Sequence, residues 1–513
     1  MIEMRKTRNI LYGFLLAALA AVLMTFAARA DQTVTLQVSP GENISKAFNK
    51  VSKESRSWPG MTTIVIPPGN YVVDQLRVWG NTTVSMQGVT LTNQDGAHSM
   101  LRLGAKENDW DEYNGGAGRS GYSPDFSDIS FIGGTWDNNG FATSIMQMGH
   151  AQNLSFDGVT FQNVNTAHHL EFGGCQNIRI INCTFTGYSG NFGDAYNGEA
   201  IQFEVLSGTA GKHFSGYHSV TDETPCKNVE ISGCTFDTLK RGVGSHTAIA
   251  NSYFSGFRIH DNTFRNITGY AVSMLNYTDS SVYHNTITAC GSGIMCAASD
   301  RSHANFYESR LTSNTRPAPM NLNCRIYDNV LSIDAGANGS NYNNLNYGIY
   351  VFGEKLKRKT GTMPAGDWRV SGVTVSGNKV TMNVAGGGIW LRGTKGVTVS
   401  GNTVTCSLQS KGKVSFGSGI RTEFSENDKI VGNTVQNQKS GPGKKAVGIL
   451  INEKTQGVRI ERNRIENTGS DGIRVTGGKN VTLRKNTVKG CGGSGIKASK
   501  SQLKTDSGNK ISK

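Results

Sequence analysis

A short apolar motif recurs at a spacing of about 24 residues through most of the chain, and this repeat limits the folds that the chain can adopt. Each copy has two apolar residues one position apart, a polar turn, and then a large apolar residue, as in Ile129, Phe131 and Trp136. Wider gaps between some copies indicate loop insertions. The residues that end the copies are Trp136, Phe161, Phe185, Phe236, Phe264, Ile287, Leu331, Val380, Val404, Val435, Ile465 and Val488. A repeat of this length is typical of small units that stack and bury a shared core.

A second short strand, usually beginning with Gly-Ile, lies within each repeat. Gly388-Ile389-Trp390-Leu391 and Gly472-Ile473-Arg474-Val475 are two examples. Strands this short, with alternating inward and outward residues and polar turns between them, predict coils that stack about 4.8 Å apart. We therefore predict an all-β fold, a single right-handed parallel β-helix of about a dozen coils without a second globular domain.

One turn position carries asparagine in most of the repeats. A column of asparagine side chains can form hydrogen bonds from one coil to the next along such a stack. Cys183 and Cys234 take this position in two earlier coils, and we interpret them as stacked buried thiols that pack as small hydrophobic groups. A disulfide or a reactive site is the alternative. The asparagines are Asn262, Asn285, Asn329, Asn378, Asn402, Asn433, Asn463 and Asn486.

The segment before the first repeat predicts a cap for one end of the helix. Ile44, Phe48 and Val51 line one face of a short helix, which precedes an extended segment from Thr63 to Tyr71. With this segment and its repeats, the chain resembles the pectate-lyase-like superfamily of right-handed β-helix proteins, of the secreted, carbohydrate-active type. The resemblance implies that residues 31–75 cap the open end of the helix. It implies no single activity, because the superfamily includes lyases, hydrolases, epimerases and phage fibres.

Residues 1–30 have the pattern of a secretory signal peptide. Basic residues precede an apolar run from Ile10 to Ala28, and Ala28 and Ala30 lie three positions and one position before the expected cleavage. An uncleaved membrane anchor is the alternative, because the run approaches spanning length. Both patterns predict export, so that the protein would be secreted, extracellular or held at the cell surface.

Charge divides the rest of the chain into residues 31–352 and residues 353–513. The second part has 29 Lys and Arg against 10 Asp and Glu, a charge of +19, whereas the first has 19 against 27, a charge of −8. We predict that coils 76–352, with their long loops, carry an active groove, and that the basic coils bind an anionic cell-surface polymer. The alternative for the basic residues is ordinary solvated surface. The densest basic cluster is Lys355, Lys357, Arg358 and Lys359.

Five long insertions are expected to follow the Gly-Ile strand and to build one wall of the groove. The first two contain aromatic and polar residues suited to binding a sugar, among them Trp110, Tyr217 and Asp222. Packing of the aromatic rings onto the helix is the alternative. The insertions are 105–127, 205–227, 297–323, 353–369 and 408–415.

The outward residues of the Gly-Ile strands should form columns across the coils. The column on one side of the centre contains Glu204 and His246 among glycines, and the column on the other side contains His169, Ala200 and Gly242. A floor of glycine and alanine would leave room for a bulky polymer above it. The central column is expected to read Arg102, Gln147, Glu171 and Gln202.

Glu171, Glu204 and His246 form the best catalytic candidate in these columns. Strand spacing and rise place Glu171 and Glu204 about 8 Å apart on a diagonal, a separation typical of the acid and base of an inverting glycosidase. His246 would orient Glu204 or carry a proton itself. An inert polar ladder is the alternative. The substrate-binding candidates are Arg102, Gln147, His169, Gln202, Glu199, Asp222, Trp110 and Tyr217.

Two other classes of protein remain open. A polysaccharide lyase acting on a uronate-containing polymer would use His246 with His169 and Arg102 as the base and the neutralising groups. The acidic charge of residues 31–352 opposes such a polyanionic substrate. A non-catalytic β-helix that binds a polysaccharide or the cell envelope is the third hypothesis.

The sequence predicts no cofactor. The nine cysteines show neither Cys-x-x-Cys nor His-x-x-x-His spacing, so a structural zinc site has no support. Asp109, Asp111 and Glu112 lie close together in one loop and leave calcium as an alternative. The expected partner is a polysaccharide or glycan substrate. We expect no nucleic-acid partner and a monomeric protein.

Overall fold

Short strands joined by turns make up most of the described chain, as the repeat predicts. A parallel β-helix runs through the described residues, and its coils have three sides. The computed structural model describes residues 30–104, 121–190, 198–205, 223–245, 248–249, 252–299, 306–307, 321–334, 346–354, 369–410, 417–437 and 445–513.

Each side of the helix is a parallel sheet, and the chain passes through sheets A, B and C in turn. Within the described residues, sheet A has 17 strands, sheet B has 15 and sheet C has 14. The strands of sheet A are β1 (Gln32–Thr35), β2 (Thr62–Val65), β5 (Thr82–Ser85), β8 (Ser127–Ile132), β11 (Gln152–Asp157), β14 (Gln176–Ile181), β17 (Lys227–Ser232), β21 (Phe254–His260), β24 (Tyr277–Thr278), β25 (Ser281–Tyr283), β29 (Asn321–Tyr327), β32 (Ser371–Ser376), β35 (Thr398–Ser400), β38 (Lys429–Val431), β42 (Arg459–Glu461), β46 (Val481–Arg484) and β49 (Leu503–Ser507).

Sheet B carries the large apolar residues that end the copies of the repeat. Its strands are β3 (Gly69–Val73), β6 (Val89–Asn93), β9 (Thr135–Asp137), β12 (Thr160–Val164), β15 (Thr184–Tyr188), β18 (Thr235–Leu239), β22 (Thr263–Ile267), β26 (Thr286–Cys290), β30 (Val330–Ile333), β33 (Lys379–Val384), β36 (Thr403–Ser410), β39 (Thr434–Asn437), β43 (Arg464–Glu466), β47 (Thr487–Lys489) and β50 (Lys510–Ser512).

Sheet C contains the Gly-Ile strands and therefore the predicted groove. Its strands are β4 (Leu76–Val78), β7 (Leu101–Leu103), β10 (Met146–Gly149), β13 (Leu170–Gly173), β16 (Glu199–Glu204), β19 (Arg241–Gly244), β23 (Tyr270–Leu275), β27 (Ser292–Ser299), β31 (Tyr347–Glu354), β34 (Gly387–Arg392), β37 (Ser418–Glu423), β40 (Val447–Ile451), β44 (Ile473–Val475) and β48 (Ile496–Lys497).

A few short elements lie outside the three sheets. Two small parallel pairs are formed by β20 (Ala248–Ile249) with β28 (Phe306–Tyr307) and by β41 (Thr455–Gln456) with β45 (Gly478–Lys479). The helical elements of the described residues are α1 (Ser45–Ser55) and two short 3₁₀ turns, Pro124–Phe126 and Lys500–Gln502.

The register of the sheets stacks each residue on its equivalent in the next coil. Phe161 pairs with Phe185, Phe185 with Phe236, and Phe236 with Phe264. Their rings stack with centroid separations of 5.3, 4.8 and 4.5 Å. All four side chains are fully buried, so one aromatic row fills the interior beside this part of sheet B.

The asparagine column forms the hydrogen-bonded ladder that the repeat predicts. At a typical rung, Asn378 Nδ2 donates to Asn402 Oδ1 at 2.9 Å and to the backbone carbonyl of Ile326 at 2.9 Å. Asn378 Oδ1 in turn accepts from the backbone N–H and from Nδ2 of Asn329. The ladder continues past the predicted positions to Asn509, whose Oδ1 accepts from Asn486 Nδ2 at 2.9 Å. Because the members from Asn262 to Asn486 are buried and every member is bonded, the column ties the turns of successive coils together.

Cys183 and Cys234 take the position of the ladder in two earlier coils, as predicted. Both are free, buried thiols. The backbone N–H of Cys183 donates to Cys234 Sγ at 3.4 Å, and the backbone N–H of Cys234 donates to Asn262 Oδ1 at 2.9 Å. The two thiols therefore replace asparagine at the end of the ladder.

The N-terminal helix closes one end of the core. Phe48 and the preceding Ile44 are fully buried, and Val51 packs against the same apolar cluster. The adjacent strands from Thr62 to Val73 already form two sides of the first coil, because β2 pairs with β5 and β3 pairs with β6. The structure thus confirms the capping helix. It also shows that the first coil of the β-helix already begins within the segment 31–75.

The structure confirms the predicted all-β, parallel β-helix. Each of the twelve copies of the motif forms a strand of sheet A and then a strand of sheet B in one coil. The turn that carries asparagine in most copies joins these two strands. Further coils lie before Trp136, at β2 to β7, and after Val488, at β49 and β50. No described helix is both long enough and apolar enough to cross a membrane. Residues 1–29, which contain the expected signal peptide, lie outside the described residues.

Candidate active site

The outer face of sheet C presents the predicted central column. The strand register aligns Arg102 with Gln147, Gln147 with Glu171, and Glu171 with Gln202. The same register aligns Gly173 with Glu204, so Glu204 lies one strand and two residues from Glu171. Strand spacing and rise over that offset correspond to a diagonal of about 8 Å.

Glu171 is held in a buried network of hydrogen bonds. It is only 2% exposed, and its Oε2 accepts from Gln147 Nε2 at 2.7 Å and from Ser144 Oγ at 2.9 Å. Ser99 Oγ donates to Gln147 Oε1 at 3.1 Å and so fixes the amide. Burial raises the pKa of Glu171 to about 7, against the opposing effect of the hydrogen bonds from Gln147 and Ser144. Glu171 therefore keeps a proton over a pH range in which an exposed glutamate is ionised.

Glu204 is the second carboxyl group of this site. It is 3% exposed, and its Oε1 accepts from Gln202 Nε2 at 2.5 Å. The charge of Glu204 contributes to the raised pKa of Glu171, and Arg102 acts in the opposite direction. Glu204 thus influences the ionisation of Glu171 from the adjacent strand.

His169 does not lie on the outer face, and the prediction of its position was wrong. Its ring packs edge-on against the buried Phe185 with centroids 6.0 Å apart, and its Nε2 donates to the Thr186 carbonyl at 3.0 Å. It is 1% exposed, and burial lowers its pKa to about 4. His169 is therefore a neutral core residue whose ring is directed away from the groove.

His169 faces the core because the alternation of inward and outward residues in a sheet C strand begins one residue later than the sequence suggests. A Cβ atom added at Gly242 would lie 2.9 Å from the ring of the buried Phe264, and one at Gly388 would lie 2.4 Å from Val404 Cγ1. His169 takes the same strand-start position as these two glycines, where the chain turns the corner from sheet B. Two successive residues face inward at this corner, so the expected column of His169, Ala200 and Gly242 lies inside the helix.

The column that precedes this corner contains functional groups that the sequence analysis missed. Glu199 is fully buried, and its Oε1 accepts from Arg241 at 2.9 Å and from the Tyr270 hydroxyl at 2.5 Å. His168 Nδ1 donates to the Glu199 backbone carbonyl at 2.9 Å and lies 3.7 Å from its Oε2. Only Glu199 was expected near the groove. The register of Glu199 with Arg241 would have revealed the cluster if the corner had been placed correctly.

The glycine floor is less open than expected at one position. A Cβ atom at Gly244 would lie 2.8 Å from the Tyr270 hydroxyl oxygen. Tyr270 therefore occupies the space above Gly244 on its way to Glu199. The absence of a side chain at Gly244 makes room for Tyr270, so this space is not available to a ligand.

Several predicted site residues lie outside the described residues. They are His246, Asp222, Trp110 and Tyr217, together with the acidic loop Asp109, Asp111 and Glu112 and the basic cluster at 355–359. Within the part of the chain that the structure describes, no group of three or more His, Cys, Asp or Glu side chains could hold a metal ion.

The described strands that precede the predicted insertions belong to sheet C, with one exception. The strands before the first four of them end at Leu103, Glu204, Ser299 and Glu354, all in sheet C. The placement was wrong for 408–415, because β36 extends to Ser410 in sheet B and the next sheet C strand begins only at Ser418. The first four insertions thus leave sheet C at the end where Glu204 lies.

Comparison with known families supports the fold. A family model described as the right handed beta helix region matches residues 213–404 and 323–512, which together cover more than half of the 513 residues. No curated protein sequence matches the chain.

Solved structures resemble the chain over most of its length. PfbA, a surface adhesin of Streptococcus pneumoniae, is 15% identical over 90% of this chain and 93% of its own, with a TM-score of 0.52. A hyperthermoactive exopolygalacturonase from Thermotoga maritima is 11% identical over 79% of this chain and 91% of its own, with a TM-score of 0.50. Identities this low indicate a common fold and no more. The chain therefore belongs to the family that this model describes, the right-handed β-helix proteins.

Proposed function

We propose that this protein is an exported glycoside hydrolase that cleaves a polysaccharide or glycan on the outer face of sheet C. The observation that carries the proposal is the pairing of Glu171 with Glu204, two buried carboxyl groups one strand apart. Burial holds a proton on Glu171, whose pKa rises to about 7. Glu171 is therefore assigned as the general acid and Glu204 as the general base.

The separation of the two carboxyl groups favours inversion at the anomeric carbon. A retaining glycosidase places its carboxyl groups about 5 to 5.5 Å apart, whereas an inverting one needs about 6.5 to 9.5 Å so that a water molecule fits between base and sugar. The register places the backbone positions of Glu171 and Glu204 about 8 Å apart, and a carboxyl separation of this size falls in the second range. Glu171 would protonate the glycosidic oxygen while Glu204 removes a proton from the attacking water. One bond to the leaving sugar breaks as one bond to water oxygen forms.

The surrounding polar residues position these two groups. Gln147 holds Glu171, and Gln202 holds Glu204, so each carboxyl group has its own amide donor. Arg102, two strands earlier in the central column, opposes the rise in the pKa of Glu171. His246 is proposed to orient Glu204, and Trp110, Tyr217 and Asp222 are proposed as sugar contacts from the insertions.

A polysaccharide lyase is the second candidate, and the buried position of His169 weighs against it. A lyase needs a base beside the uronate and a group that neutralises the uronate carboxylate. His169 faces Phe185 in the core and cannot serve as that base, which leaves His246 with Arg102. The charge of −8 on residues 31–352 also opposes a polyanionic substrate.

A non-catalytic, glycan-binding surface protein is the third candidate. It is supported by the structural likeness to a surface adhesin at a TM-score of 0.52, although the same fold also carries an exopolygalacturonase. An exported location, either secreted or at the cell surface, suits all three candidates.

A panel of purified polysaccharides tests the proposal with two readouts. New reducing ends without ultraviolet absorbance indicate hydrolysis, absorbance near about 235 nm indicates the unsaturated product of a lyase, and neither signal indicates binding alone. On a substrate that the wild type hydrolyses, Glu171→Gln and Glu204→Gln should each lower kcat by about 10²-fold or more. Gln176→Glu, a substitution on the outer side of sheet A, serves as a control. Full activity of either glutamate variant would place the site elsewhere.

A further inference from the structure

A second buried carboxylate lies on the outer face of sheet C, far along the helix from Glu171. Glu423 is 1% exposed, and its Oε2 accepts from Arg421 Nε at 3.0 Å and from Arg421 Nη2 at 2.6 Å. Its Oε1 accepts from Arg392 Nη1 at 2.7 Å and from Trp390 Nε1 at 3.2 Å. One carboxylate therefore fixes two guanidinium groups side by side.

Aromatic rings hold the same two arginines from the other side. The Arg421 guanidinium lies over the Trp390 ring at 4.4 Å, and the Arg392 guanidinium lies over the Phe424 ring at 4.9 Å. The Arg392 side chain nevertheless stays 35% exposed and the Arg421 side chain 17% exposed. The two guanidinium groups are therefore held at fixed, partly exposed positions on sheet C.

The rest of this face is also basic. The strand register carries the central column from Arg421 through Leu450 to Arg474 and Lys497. Asp471, the acidic residue beside this column, is bound by Arg474 at 2.5 Å and by the backbone N–H of Ser494. The later coils thus place Arg421, Arg474 and Lys497 in one column of sheet C, interrupted by Leu450, and Asp471 beside this column is already paired.

We propose that Arg392 and Arg421 form an anion-binding subsite that holds an acidic group of a polymer lying along sheet C. Arginine forks recognise planar or tetrahedral oxyanions by paired N–H donors, and a preset fork loses little conformational freedom on binding. Uronate carboxylates and sulfate esters share this chemistry. Glu423 is a positioning residue here, because it orients both guanidinium groups without needing to touch the ligand.

This subsite is independent of the proposed hydrolysis. Seven strand spacings separate β13, which carries Glu171, from β37, which carries Arg421, a distance of about 34 Å. An anionic polymer bound at the arginines would retain the protein on an acidic surface while the carboxyl pair acts on a different glycan. The subsite adds a basic contact on the sheet itself to the one predicted for the cluster at 355–359.

Binding to immobilised polymers tests this subsite. The full chain would carry Glu171→Gln and Glu204→Gln so that no polymer is cut, and binding would be measured at low salt on polygalacturonate, dextran sulfate and neutral dextran. We expect Arg392→Gln with Arg421→Gln to weaken binding to polygalacturonate, dextran sulfate or both by about tenfold or more. A loss on polygalacturonate alone identifies a carboxylate ligand, and a loss on dextran sulfate alone identifies a sulfate ester.

A matched variant separates a built site from general attraction. Arg462→Gln with Arg484→Gln removes the same charge away from sheet C, because Arg484 lies in sheet A and Arg462 in the turn that follows β42. Both residues are exposed, and this double variant should change binding by less than about twofold. Equal losses in the two double variants, or no loss in the first, would overturn the proposal. If the first double variant unfolds, Arg392→Gln alone leaves Arg421 on Glu423 and should still weaken binding about threefold. An unchanged affinity of that single variant would also overturn it.

Discussion

At the scale of one residue, Glu171 shows how burial on a sheet of the β-helix raises the pKa of a carboxyl group. The residue before it and the residue after it face the core, and its neighbours in the central column are Gln147 and Gln202. The amide of Gln147 and the hydroxyl of Ser144 satisfy one of its oxygens. Because burial outweighs these bonds, the carboxyl group is a proton donor near neutral pH.

The pH dependence of hydrolysis should report this proton. Below its pKa of about 7 Glu171 is protonated and can act as the acid, so kcat/KM should fall as the pH rises through about 7. Gln147→Leu removes a hydrogen bond that lowers the pKa of Glu171, so the alkaline limb of the profile should move to higher pH. Gln152→Leu, on sheet A, should leave the limb in place. A limb that stays fixed in Gln147→Leu would contradict the assignment of Glu171 as the acid.

The cysteines at the end of the asparagine ladder make a second point at this scale. Cys234 Sγ contacts the Ile180 carbonyl at 3.4 Å, in the way that Asn262 Nδ2 donates to the Ile231 carbonyl at 2.9 Å. The Cys234 thiol thus takes the place of an asparagine amide and makes a weaker contact with the equivalent backbone carbonyl. The sequence was sufficient to predict both the ladder and the stacking of the thiols, because they depend only on the period of the repeat.

Substitutions in the ladder should show its contribution to stability. Asn378→Ala leaves the N–H and Nδ2 of Asn329 without their acceptor and should lower the free energy of unfolding by about 2 to 4 kcal/mol. Cys234→Asn would extend the ladder by one rung and should cost less than about 1 kcal/mol or stabilise the protein. Denaturant unfolding of both variants measures this. A cost for Cys234→Asn as large as that for Asn378→Ala would contradict the equivalence of the two positions.

At the scale of the element, the corner between sheet B and sheet C decides which residues reach the groove. Strict alternation along the strand placed Glu171, Gln202 and Glu204 correctly, because these residues lie within the regular part of their strands. The same rule failed at His169, which lies at the corner where two successive residues face inward. Sequence periodicity carries no signal for such an irregularity. The run of small residues at this position, as at Gly388, was the available clue.

A side chain at the corner should be poorly tolerated in the later coils. In Gly388→Ala, the new Cβ would lie 2.4 Å from Val404 Cγ1 and 2.5 Å from the Gly419 carbonyl oxygen, and the backbone cannot move away. We expect a loss of about 3 kcal/mol in the free energy of unfolding. Gly396→Ala meets no atom within 4 Å and tests the backbone effect alone, at a cost of about 1 kcal/mol. Equal costs for the two variants would contradict an inward-facing corner.

The whole molecule separates two kinds of surface along one continuous helix. The early coils carry the buried carboxyl pair, and the later coils carry arginines and lysines on the same sheet. The charge difference between residues 31–352 and 353–513 was visible in the sequence, but the arrangement of Arg392 and Arg421 on sheet C was not. Net charge can be counted from the sequence, because it does not depend on which way a side chain points. Arg392 and Arg421, in contrast, are brought side by side only by their shared contact with Glu423. The repeat therefore predicted the helix, and contacts between coils decided the sites.

The stereochemistry of hydrolysis is the most direct test of the central claim, that Glu171 and Glu204 are an acid and base on one sheet. Proton NMR of the first product formed from a polysaccharide that the wild type cleaves would give the configuration of the new reducing end. The offset of about 8 Å predicts inversion by the wild type, with the rate lowered about 10²-fold or more in Glu171→Gln and in Glu204→Gln. Retention of configuration, an unsaturated product, or full activity of either variant would contradict the claim.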